Sequence, residues 1–181
     1  TCQSRARILP TILSRVVTLS ISPCSEELCA KALQERSPDS SEEDCLRMAK
    51  QCGGNIGRAL TILQDERLSG IHNDAQEAAQ LICGGSEFDL LSLLNRYNRK
   101  KDDFLLLLEE LRQIFVQVVR QKHGASDKKF LPDKLLHRIS ALQTMRILDI
   151  IDTVSGEAAQ NVAVSLAAAH LCSAVQQLLH S

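Results

Sequence analysis

Gly53-Gly54-Asn55-Ile56-Gly57-Arg58-Ala59-Leu60 is the stretch whose reading decides the fold. Two consecutive glycines end a helix, because a residue without a Cβ enters the left-handed conformation that closes the last turn. Asn55 then stands where its side chain can cap the next helix. The stretch is therefore a hinge between two helices. Gly57 falls in the first turn of the second one, where a helix former would serve better, so a close approach to its backbone is expected there. A packed neighbour is preferred over a ligand as the object making that approach.

Working outward from the hinge, short helices lie on either side of it. Ser25-Glu26-Glu27 places a capping hydroxyl and two acids at a helix start, where the helix dipole favours negative charge, and Leu28, Ala32 and Leu33 are expected on its buried side. Ser40-Ser41-Glu42-Glu43-Asp44 repeats that chemistry after the breaker Ser37-Pro38, followed by an apolar stripe of Cys45, Met48, Ala49 and Cys52. The helix after the hinge runs from Asn55 to about Arg67 and turns Ile56, Leu60 and Leu63 inward. Each is about three turns long and needs the others for stability. Residues 22–67 thus form a three-helix domain.

Upstream, Ile8 to Arg15 reads as a short helical turn, and Val16-Val17-Thr18-Leu19-Ser20-Ile21 alternates with a period of two among β-branched residues, the pattern of a strand ended by Ser22-Pro23. One strand makes no sheet. Residues 1–21 are therefore expected to be the tail of a sheet domain, and the chain, which starts with Thr, the C-terminal part of a longer protein.

Downstream, from residue 68 to 181, the helices lengthen. One near 72–83 stops at Gly84-Gly85, and one near 86–97 stops before Arg99-Lys100-Lys101-Asp102-Asp103. Phe104, Leu108, Leu111, Phe115 and Val118 recur at spacings of four and three, the seam of a helix in a bundle, and Leu107, Ile114 and Val119 widen its apolar surface. A further helix is expected from Leu131-Pro132-Asp133 to about Val154, carrying Leu135, Ile139 and Leu142. The last, over about 158–180, carries Val164, Ala168, Leu171, Val175 and Leu178, with Ala158, Ala159, Ala163, Ala167 and Ala169 allowing close approach. The fold class is all-α, a three-helix domain followed by a helical bundle, with one leftover strand near the N-terminus.

Chemistry is sparse in the 181 residues. There is no Ser/His/Asp set, no Gly-x-x-x-x-Gly-Lys loop to cradle phosphate, and no His or acid spacing suited to a metal. No cofactor and no metal site are expected. His72, His123, His137, His170 and His180 are scattered, as surface or core histidines are, and Asn161 is read as a buried amide tying helix ends together rather than a ligand contact. The seven cysteines never form a Cys-x-x-Cys pair, which fits buried thiols in a reducing cytosol. No apolar run is long enough for a membrane span and the first residues lack the basic-then-apolar order of a signal peptide, so a cytoplasmic protein without membrane partners is expected. A formal charge of -1 gives no global attraction to nucleic acid. Locally, eleven Lys and Arg face six acids between Arg96 and Arg138, with Tyr97 as the one tyrosine available to stack on a base. A solvated helix surface explains that run equally well.

Arg7-Ile8-Leu9-Pro10-Thr11-Ile12-Leu13-Ser14-Arg15-Val16, then Pro23-Cys24-Ser25-Glu26-Glu27-Leu28, then the Gly53 to Leu60 stretch, together resemble the later half of clamp-loader AAA+ subunits, and most of all the delta-prime type of bacterial DNA polymerase III. The motifs cover residues 1–67, and the remainder matches through its helical layout and Asn161-Val162. The resemblance implies a lid domain over 22–67 and an oligomerising collar domain over 68–181. It implies as partners the other clamp-loader subunits, the sliding clamp and primed DNA. Ser14-Arg15 matches a Ser-Arg-Cys motif whose arginine reaches the ATP of a neighbouring subunit, with Val16 here in place of the cysteine. ATP-binding siblings carry an arginine and an acid early in the third lid helix, at the places of Gly57 and Arg58. Losing that pair implies a subunit that does not hydrolyse ATP itself, within a complex that is a DNA polymerase with clamp-loader ATPase activity, and leaves no assured nucleotide role for Arg58. An ATP-binding tau/gamma-type subunit and a helical adaptor unrelated to ATP are the alternative readings.

Overall fold

The computed structural model describes residues 9–19, 22, 24–38, 40–123, 137–160 and 162–180. They are all-helical: α1 (Pro10–Leu13), α2 (Glu26–Arg36), α3 (Glu42–Gln51), α4 (Ile56–Gln64), α5 (Glu66–Gly84), α6 (Glu87–Asn95), α7 (Lys101–Lys122), α8 (Ala141–Ala159) and α9 (Val164–His180). Val16 to Leu19 form no strand, and Val17 and Leu19 are 89% and 85% exposed. Their alternation is the pattern of a strand, but a strand exists only by pairing, and no described segment lies alongside to accept its hydrogen bonds.

Local chemistry sets most helix ends. Ser25, Ser41 and Asn55 each accept a hydrogen bond from the amide three residues on, at 3.3, 3.1 and 3.0 Å. α3 ends in a Schellman motif: Gly54 N–H donates to the Ala49 carbonyl at 3.0 Å and Gly53 N–H to that of Lys50 at 3.1 Å. Both glycines have positive φ, +62° and +80°. Gly54 has a second reason to be glycine, because a Cβ there would lie 2.0 Å from the Cys24 carbonyl oxygen. The close approach expected at Gly57 is thus found at Gly54. A Cβ on Gly57 would meet only the Asn55 side chain at 3.7 Å.

Several element boundaries depart from the sequence expectation. The helix read as reaching Arg67 stops at Gln64, and α5 begins at Glu66 rather than near residue 72, because the Asp65 carboxylate accepts from the Arg67 and Leu68 amides at 2.9 and 3.2 Å. Gly70 lies inside α5. α6 is slightly shorter than the expected 86–97. The start expected at Leu131 lies outside the described residues, as do Leu135 and Asn161. The helix that reaches Val154 starts after Ser140, which forms a capping box with Gln143, and runs on to Ala159, so Ala158 and Ala159 belong to α8 and not to the last helix.

Two apolar clusters result, sharing no residue. Cys29, Leu33, Cys45, Met48, Ala49, Cys52, Ala59 and Ile62 make the core of α2 to α4. Leu28, expected inside, is 62% exposed, and Cys29 takes its place. The second cluster lies among α5 to α9, which pack in the cyclic order α5, α7, α8, α9, α6 and back to α5. α7 lies against both α5 and α8, which is why its apolar surface is wider than one seam; Phe104, Leu107, Leu108, Leu111, Phe115 and Val118 are all fully buried. Leu142 is exposed, and α8 instead buries Thr144, Ile147, Ile151, Val154 and Ala158.

Candidate functional site

Arg15 sits in the turn that leaves α1. Its amide donates to the Ile12 carbonyl at 2.9 Å, and the Ser14 hydroxyl donates to that of Thr11 at 3.1 Å, so both residues have their backbone placed by the short helix. The side chains of Ser14 and Arg15 are exposed, and Arg15 forms no ion pair with another described residue. Around it, Leu9, Ile12, Val16, Val17 and Leu19 are exposed as well. An arginine presented this way has its guanidinium in solvent and its donors uncommitted, the condition for pairing with an anion outside the chain.

Arg58 stands in a different situation. It projects from the first turn of α4 across to α7, where its guanidinium pairs with the Glu110 carboxylate. The same carboxylate oxygen lies 2.8 Å from Nδ1 of His72, which comes from α5. Three helices thus meet at one carboxylate. Burial would raise the Glu110 pKa, but the hydrogen bond from His72 and the charge and hydrogen bond of Arg58 outweigh it and hold the group below its ordinary value. His72 is 1% exposed, and its Nε2 has no hydrogen-bond partner among the described residues. Beside it lies a cleft lined by Gln51, Cys52, Arg58, His72, Gln113, Ile114 and Gln117, with about 10 Å³ of internal space. That is room for about one water molecule and not for a nucleotide. Burial, offset in part by Arg58, pushes the Cys52 thiol up to about 12, so it is an inert apolar neighbour here.

The other candidates are dispersed. His123 and His137 are exposed, His170 makes a surface contact with Glu157 at 2.8 Å, and the side chain of His180 lies outside the described residues. Among the described residues no group of three His, Cys, Asp or Glu is placed to hold a metal ion. Among the described residues, five of the basic side chains from Arg96 to Arg138 are engaged within the chain. Arg96 pairs with Asp74 at 3.2 Å and Arg112 with Asp152 at 2.7 Å, while Lys101, Lys122 and Arg138 donate to the carbonyls of Ala159, Ile139 and Gly84. Tyr97, the one tyrosine that could have stacked on a base, is buried with its hydroxyl donating to Asp74 at 2.7 Å. Its ring is not available to a base. No described helix is long and apolar enough to cross a membrane.

Sequence reasoning reached Arg15 and Arg58 but not the carboxylate that engages Arg58. Glu110 lies 52 residues away in sequence, and no local pattern links the two. Compared with protein-family models, with curated proteins and with solved structures, the chain finds no match.

Proposed function

We propose that the chain acts in a clamp loader as a subunit of the delta-prime type, with residues 22–67 as its lid and 68–181 as its collar. In this reading it does not hydrolyse ATP itself, and it supplies Arg15, oriented by the turn through Ser14, to ATP bound by the neighbouring subunit. The complex loads the sliding clamp onto primed DNA in the cytoplasm, and the collar joins this subunit to the others. The observation that carries the reading is the placement of Arg15, exposed on the turn after α1 and without an ion-pair partner among the described residues. A guanidinium delivered to a γ-phosphate in trans neutralises charge that develops on the transferred group and can accelerate hydrolysis by about 10³ to 10⁵. Arg58 supports the same assignment from the other side. The siblings' nucleotide-sensing arginine falls at Gly57, and the neighbouring Arg58 is engaged by Glu110, so neither residue serves an ATP bound in cis.

The test is Arg15→Ala in the full-length subunit within its complex, with clamp and primed DNA present. ATP turnover should fall by orders of magnitude while gel filtration shows the same assembly. Unchanged turnover in an intact complex would remove the reading.

A further inference from the structure

We propose that Arg58, Glu110 and His72 form a latch that holds the three-helix unit α2 to α4 on the bundle α5 to α9, and that releasing it lets the unit swing about Asp65. The two parts have separate apolar clusters with no residue in common, so neither needs the other to complete its core. Their covalent joint is one residue. Asp65 is extended (φ −123°, ψ 106°) between Gln64, which ends α4, and Glu66, which begins α5, and its carboxylate caps α5 alone. The joint therefore travels with the bundle and places no side-chain constraint on α4.

Across the boundary, Gln51, Cys52 and Arg58 from the small unit face His72, Gln113, Ile114 and Gln117 from the bundle around a cleft of about 10 Å³. The boundary is bridged at the carboxylate of Glu110, which takes the guanidinium of Arg58 from one part and Nδ1 of His72 from the other. His72 positions that carboxylate from within the bundle. His72 is buried beside the cleft, its Nε2 without a partner among the described residues. The pairing of Arg58 with Glu110 is the charge-assisted contact that closes the boundary, and without it the extended residue Asp65 is the joint about which the parts turn.

Spin labels carried by unnatural amino acids at Lys31 on α2 and Gln80 on α5, both exposed, report the separation of the two parts in the whole chain. The parent protein should give one narrow distance distribution. Glu110→Gln and Arg58→Met should each add a second, longer-distance population without loss of helical circular dichroism, while Arg58→Lys keeps the single distance. One unchanged distance in both disruptive variants overturns the latch. Loss of helicity in either of them also overturns it, because it would show the contact to be part of a core rather than a closure between two complete ones.

Discussion

Replacing Gly54 by alanine tests the hinge on which the fold reading began. Two costs add there. An L-residue with a Cβ held in the left-handed region is destabilised by about 1–2 kcal/mol, and Gly54 has φ +80°. The new Cβ would also stand 2.0 Å from the Cys24 carbonyl oxygen and 3.0 Å from its carbon. Those are backbone atoms and cannot rotate away, so the Cys24 segment must move. That movement gives up the Cys24 N–H bond to the Gly54 carbonyl, 3.2 Å long, and the thiol bond to the same oxygen. One such backbone hydrogen bond contributes about 0.5–1.5 kcal/mol. A loss of roughly 1.5–3.5 kcal/mol follows from the two together. Gly53→Ala separates them, because its φ of +62° carries the strain while its Cβ would meet only the Gln117 amide at 3.7 Å. It should cost about 1–2 kcal/mol. Gly57→Ala, on helical backbone and with only an ordinary contact to the Asn55 side chain, should be neutral or stabilise by up to about 1 kcal/mol. Equilibrium denaturation followed by circular dichroism, with amide exchange of α2 and α3, measures the order. If Gly54→Ala proves no more harmful than Gly53→Ala, the close approach of Cys24 is not what holds this junction.

Leu111→Ala, at a fully buried position of α7, should cost about 2–5 kcal/mol in the same denaturation assay; an unchanged midpoint would contradict the packing of α7 between α5 and α8. Glu110 gives a pH dependence whose sign is fixed. Its folded pKa lies below its ordinary 4.5, so its contribution is present in full above that value and is lost as pH falls through the lower, folded pKa. The stability difference between the parent protein and Glu110→Gln should therefore shrink on acidification below 4.5, and a difference that stays constant down to about pH 3 would refute the assignment. Burial pushes Cys52 and Cys83 up to about 12, so iodoacetamide at about pH 8 should modify them only after unfolding, as mass spectrometry of alkylated peptides would show. Rapid alkylation of either in the native protein would contradict their burial.

The sequence alone determined the helical class and most capping positions, because these depend on chemistry within a few residues. Ser25, Ser41 and Asn55 cap the helices they precede, and the paired glycines close α3 as their missing Cβ atoms predict. The stripes of α3 and α7 were legible for the same reason, since helical periodicity maps spacing directly onto a face. Where two local readings competed, spacing did not decide. Leu28 and Cys29 are both apolar neighbours, and only the packing of α3 and α4 against α2 puts the cysteine inside. Val16 to Leu19 carry a strand pattern whose realisation depends on a partner, which no local rule supplies. Arg15 could be singled out because a contiguous motif surrounds it. The meeting of Arg58, His72 and Glu110 could not, since these residues stand 38 and 52 positions apart and no periodicity links them. Their association exists only because α4, α5 and α7 converge, and a charge network between helices is a property of that convergence.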